Sequence, residues 1–169
     1  MSTDALTRTV LEHPALFGKL PGHGDFISRG VPGDWRAAID LWLSDWLAAA
    51  RAALGDDFIA VYEAAAPWLF ESAQATAVLM PSIDAVGRHF PLLVLTAPGC
   101  ATQQVYDAMV DALSDGHDSD SLRAALAALE ESAPQGERSG RWFVPEGAAP
   151  DLPAPDSVMS WRSVEGCFV

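Results

Sequence analysis

The amino-acid sequence predicts an α/β fold in which a mixed, largely antiparallel sheet is sandwiched between helical layers. Three observations carry that reading. An early stretch repeats apolar residues at three and four, the middle of the chain turns to short apolar runs bounded by Pro, Ser, Asp and Gly, and two further helical stripes follow residue 100. At 169 residues the chain has the usual size of one domain. The patterned part spans 15–131, and 132–169 reads as a partly irregular C-terminal segment of the same domain.

Residues 15–20 predict a short strand, stopped by the turn-forming run Pro21-Gly22-His23-Gly24-Asp25, after which a loop is expected. Beyond Pro32-Gly33, the positions Trp35, Ala38, Ile39, Trp42, Leu43, Trp46, Leu47, Ala50 and Leu54 mark one face of a long helix. Asp34 suits its positive N-terminal end, and Gly55 its stop. Trp35, Trp42 and Trp46 fall on one side and read as core packing, with a ligand-binding face as the alternative. Residues 57–65 predict a shorter helix ended by Pro67. Strands are expected at 68–71, 75–80 and 88–96, the last two joined antiparallel through 81–87. Residues 102–113 and 119–131 predict helices, and 141–144 a final strand.

Ten Lys and Arg against 23 Asp and Glu leave a net charge of −13. Such a field repels phosphate backbones and anionic headgroups, so nucleic acid and membrane surfaces are poor partners. Cys100 and Cys167 match no zinc spacing and read as free thiols in a reducing compartment. The N-terminal residues hold no unbroken apolar run, and the least polar stretch, 89–105, is cut by Pro91 and Pro98. A cytoplasmic location is expected.

Two stretches concentrate Gly, Pro and charge: GKLPGHGDFISRG at 18–30 and MPSIDAVGRHFP at 80–91. A phosphate cradle fails because Lys19 precedes its loop, and the dinucleotide fingerprint fails because Ile27 stands where a third Gly is needed. His23, Asp25, Asp84 and His89 include no helical metal-binding pair, and the histidines read as turn and strand-start residues. Ser28, Ser82 and Cys100 lack the surroundings of a nucleophile. No cofactor or metal is expected. In PSIDAVGR the Asp84 carboxylate can accept from amides two residues on, and Gly87 can take a positive φ before the next strand. Arg88 then needs a partner, which Asp25 or Asp84 can supply. An Asp25–Arg88 ion pair locking the loops together is the expectation, against separate solvation of each charge.

These two motifs, in this order and with the intervening Trp42-Leu43 and Trp46-Leu47, resemble the TagF family, also called ImpM, of type VI secretion-associated proteins. The likeness runs from Leu16 to Thr96, with a weaker echo at Arg141-Trp142-Phe143. It implies a sheet between helical layers and a cytoplasmic, non-enzymatic repressor that acts after translation through the forkhead-associated scaffold protein of the system. Some members are fused to a PppA-like phosphatase domain, for which this chain has no room. The resemblance carries over no catalytic residue. Lys19, His23, Asp25, Asp84 and Arg88 are expected to frame the loops or border a partner surface. The alternative is a hydrolase or phosphoryl-handling enzyme in which His23, Asp25, Asp84 and Arg88 line one cleft. A third possibility is a structural subunit of the secretion assembly.

Overall fold

The computed structural model describes residues 13–129 and 140–168. Its strands are β1 (Ala15–Gly18), β2 (Ile27–Arg29), β3 (Trp68–Glu71), β4 (Thr76–Met80), β5 (Leu92–Thr96) and β6 (Trp142–Phe143). They form a single sheet in the order β2-β1-β5-β4-β3-β6, and every neighbouring pair is antiparallel. The helices are α1 (Gly33–Leu54), α2 (Phe58–Ala64), α3 (Thr102–Asp115), α4 (Ser119–Ala127) and α5 (Trp161–Glu165).

Alternation along the central strands explains why their sequences look uniformly apolar. In β5, Leu93 and Leu95 face a core built from α1, α2 and the C-terminal segment, whereas Leu92 and Val94 face one built from α3 and α4. A sheet covered on both sides must be apolar at consecutive positions. The stripe of α1 buries Trp35, Ile39, Trp42, Leu43 and Trp46 in the first of these cores, so the tryptophans pack the interior and form no ligand-binding face. The helix carries Asp34 in its first turn and stops at Gly55, whose φ of 55° suits glycine. On the opposite face, Val105 and Met109 of α3 meet Leu122 and Leu126 of α4 over Leu16, Val78 and Val94.

Several boundaries differ from the sequence reading. The strand expected at 88–96 begins only at Leu92, because 88–91 belong to a turn closed by the Ile83↔His89 bridge. The first strand ends at Gly18 rather than at residue 20. Where a loop was expected, Ile27–Arg29 pairs with β1 as an edge strand. The helix expected over 119–131 ends at Ala127, and residues 1–12, 130–139 and 169 lie outside the described residues.

The C-terminal segment joins the core despite its proline-rich, aperiodic sequence. Trp142, Leu152, Trp161, Val164 and Phe168 are buried against α1, and the Trp42 and Trp46 indoles donate to the carbonyls of Pro155 and Pro153 at 2.7 Å each.

Candidate functional site

The two motif stretches meet beside the start of β5, at a carboxylate sealed from solvent. Asp84 sits in the connection between β4 and β5, where its Oδ1 accepts from the Val86 amide at 3.1 Å and the Arg88 amide at 2.9 Å. Its own amide donates to the Arg88 carbonyl, and Gly87 turns the chain with a φ of 81°. Oδ2 takes the Arg88 Nε at 2.6 Å and the Lys19 Nζ at 3.0 Å. A carboxylate offers about four lone-pair sites, and here four donors occupy them.

Burial pushes the Asp84 carboxyl up, but the Arg88 amide, the Lys19 ammonium, the Arg88 guanidinium and the Val86 amide together hold it well below the usual carboxylate range. Lys19 is itself only 6% exposed, and its ammonium lies 5.0 Å from the centre of the Phe26 ring. Phe26 in turn meets Phe90 edge to face at 4.7 Å.

Arg88 carries the connection outward. Its Nη2 donates to the Gly24 carbonyl at 2.9 Å, and the Ala85 amide donates to the His23 carbonyl at 2.8 Å. The expected Asp25–Arg88 ion pair is therefore corrected to Asp84–Arg88. Asp25 is exposed, and its Oδ1 accepts from the adjacent Phe26 amide at 2.8 Å. The short turn places residues 84 and 88 side by side, whereas Asp25 is held to its own backbone.

The His23 ring turns away from the cluster. Its Nε2 accepts from the Ser119 amide at 3.1 Å, tying the first loop to the start of α4. A Cβ on Gly22 would approach the carbonyls of Gly116 and His117 to 3.1 Å, so the loop backbone lies directly on the α3–α4 connection. At the far end of the same loop, Gly30 packs against Arg123 of α4, whose Nε donates to the Pro14 carbonyl at 2.8 Å. The first motif thus frames the α3–α4 hairpin.

Two further residues complete the cluster. The Ser82 hydroxyl donates to the Lys19 carbonyl at 2.7 Å, and the Tyr62 hydroxyl both donates to the Ser82 carbonyl and accepts from its amide at 3.2 Å. Burial drives the Tyr62 phenol well above its ordinary value. Tyr62 is a buried residue of α2, and nothing in its local sequence marks its hydroxyl for this contact. His89 packs edge to face against the Tyr62 ring at 5.5 Å, with Nε2 2.9 Å from Glu63 Oε1.

Of the five residues nominated from sequence, Lys19, Asp84 and Arg88 converge side chain to side chain. His23 joins through its carbonyl, and Asp25 stands apart. With every lone pair of Asp84 engaged, the carboxylate has no acceptor left for a metal ion or a substrate proton. Among the described residues, no three His, Cys, Asp or Glu side chains gather as a metal site, and no helix is long and apolar enough to cross a membrane.

A wholly antiparallel sheet between helical layers, rather than the mixed sheet expected, with two interlocked polar loops at one end of β1, β4 and β5, defines an α/β domain. Residues 15–135 match the TagF N-terminal domain family, type VI secretion system-associated, and the chain belongs to that family. Its fold is similar to the crystal structure of PA0076 from Pseudomonas aeruginosa PAO1, with a TM-score of 0.55 and 24% identity over 91% of this chain and 78% of that one. Among curated proteins, none matches this chain significantly.

Proposed function

We propose that this type VI secretion-associated protein is a non-enzymatic, post-translational repressor that works in the cytoplasm by binding the forkhead-associated scaffold protein of the system. The observation that carries the reading is the saturated carboxylate of Asp84. A catalytic acid or base needs a lone pair or proton directed at substrate, and this group directs all of its acceptor capacity inward. What it achieves is mechanical. It fixes two loops to one another, and the first loop fixes a helical hairpin, giving a surface of constant shape for a partner to grip.

The hydrolase reading requires His23, Asp25, Asp84 and Arg88 around one polar cleft. Their side chains go separately to Ser119, to Phe26 and to each other. The negative charge favours a partner with a basic surface, and long-range attraction of this kind chiefly accelerates encounter.

The test is overproduction of the chain in a bacterium carrying its cognate secretion system. Secreted output should fall while transcript and component-protein levels stay constant. Unchanged output would remove the repressor reading, and stoichiometric retention of the chain in purified apparatus would replace it with a structural role.

A further inference from the structure

Between α3 and α4, on the side turned away from the sheet, lies an open groove of about 620 Å³. Its origin is legible in the side chains. The large residues Val105, Met109 and Leu126 turn toward the sheet, the buried Leu122 forms the floor between the helices, and exposed alanines occupy much of the outward surface of α4. Small residues on two adjacent helices leave a trough. Ala112, Leu122, Ala125 and Leu129 give it an apolar lining, and Asp107 and Asp111 stand on its α3 side.

The charge around it has one sign. Residues 102–129 contain five Asp, one Arg and no Lys or Glu. That single cation, Arg123, is bonded to the Pro14 carbonyl beneath the hairpin. His117, at the end of the groove, lies 3.8 Å from Asp115.

We propose that this groove docks a basic amphipathic helix of a partner protein, its apolar face on the alanine and leucine lining and its Lys or Arg side chains toward Asp107 and Asp111. An open trough exposes too much of a small molecule to enclose it, whereas a helix laid lengthwise buries a continuous stripe. Charge complementarity selects the sign of the flanking residues. The inference rests on the regulator reading in taking the occupant to be a protein segment. It adds the chemistry of that segment and its place. It also gives the first motif a purpose, since His23, Gly22 and Gly30 seat the hairpin that carries the groove.

The test uses an 18-residue synthetic helix of Leu and Lys, a Leu and Glu counterpart with the same apolar face, and the ¹⁵N-labelled full chain. The Lys peptide should shift the amides of Asp107, Asp111 and Ala125 saturably at one-to-one stoichiometry, and the Glu peptide should leave them unchanged. Ala125→Trp, which fills the trough from an exposed position, and the pair Asp107→Lys with Asp111→Lys should each weaken binding by about tenfold or more. Shifts scattered over the whole acidic surface, or equal binding by Ala125→Trp, would overturn the proposal. Self-association of the wild type that Ala125→Trp abolishes would overturn it in favour of a second copy. A parallel titration with the scaffold protein separates the two readings. If the Lys peptide seats in the groove and the scaffold protein does not bind, the repressor reading falls and the groove stands. If the scaffold protein binds wild type and both groove variants alike, the groove falls and the repressor reading stands.

Discussion

The Lys19 ammonium lies 3.0 Å from Asp84 Oδ2 with both side chains buried, so the two motif loops are joined by a charge pair that water does not reach. Such a pair is costly to desolvate and severe to break, because removing one member strands the other. Asp84→Leu alone should therefore destabilise the chain strongly, and the double variant Lys19→Met with Asp84→Leu should recover only the part due to the stranded ammonium, since the Val86 and Arg88 amides stay without their acceptor. Urea unfolding of the singles and the double gives the coupling directly. Strict additivity would show that the pair does not act as a unit.

The same carboxylate sets an acid limit on stability. Its folded-state pKa lies below the ordinary value of 3.8, so its contribution is fully present above that value and is lost as pH falls through the folded pKa. The stability gap between wild type and Asp84→Asn should be constant from neutrality down to about pH 5 and then narrow as acid protonates the carboxyl in the unfolded chain ahead of the native one. Thermal melts of both proteins across that range report it. A gap that widens toward low pH would reverse the sign and exclude this origin.

Backbone approach makes Gly18 the least replaceable glycine in the first motif. Its φ is 131°, and an added Cβ would stand 2.0 Å from the Pro91 carbonyl oxygen, where β1 passes the entry to β5. Gly18→Ala should cost about 3 kcal/mol or more, combining a strained backbone with an overlap that only main-chain movement relieves. Gly24→Ala, with nothing within 4 Å of the new atom, is the control. It should stay within about 0.5 kcal/mol of wild type.

Trp42 and Trp46 hold the C-terminal segment by their indole N–H groups. Trp46→Phe keeps most of the packing and loses the bond to Pro153, at a cost of about 1–2 kcal/mol. Trp42→Ala also opens a cavity among Trp142 and Trp161 and should cost about 3–5 kcal/mol. Both should unfold in one transition, since the segment shares the core of α1. Separate melting of the C-terminal segment would contradict that.

The parts legible in the sequence are those governed by local periodicity. The stripe of α1 needs only spacing, and the apolar runs of β3, β4 and β5 need only burial on two faces. The Asp84 and Gly87 turn was readable because an Asp that bonds amides just ahead and a Gly with positive φ are local chemistry. What escaped depends on distant contacts. β2 is three residues long and exists because β1 offers it a partner across a turn. The order of α5 comes from tryptophans more than a hundred residues earlier. Asp25 and Asp84 looked equally able to hold Arg88, and the choice fell to the turn that brings residues 84 and 88 together. His23 could be seen as a turn residue, but nothing in its neighbourhood pointed to the Ser119 amide.

Calorimetric titration of the forkhead-associated scaffold protein into wild type and Arg88→Ala tests most directly whether the interlocked loops serve binding. Arg88 has a side chain 60% exposed and ties both loops, through Asp84 and Gly24, so its truncation loosens the join without opening the core. Wild type should form a stoichiometric complex that Arg88→Ala weakens by about tenfold or more, with an unchanged circular dichroism spectrum. No complex with wild type, or equal affinity for the two proteins, would contradict a role for these loops in partner recognition.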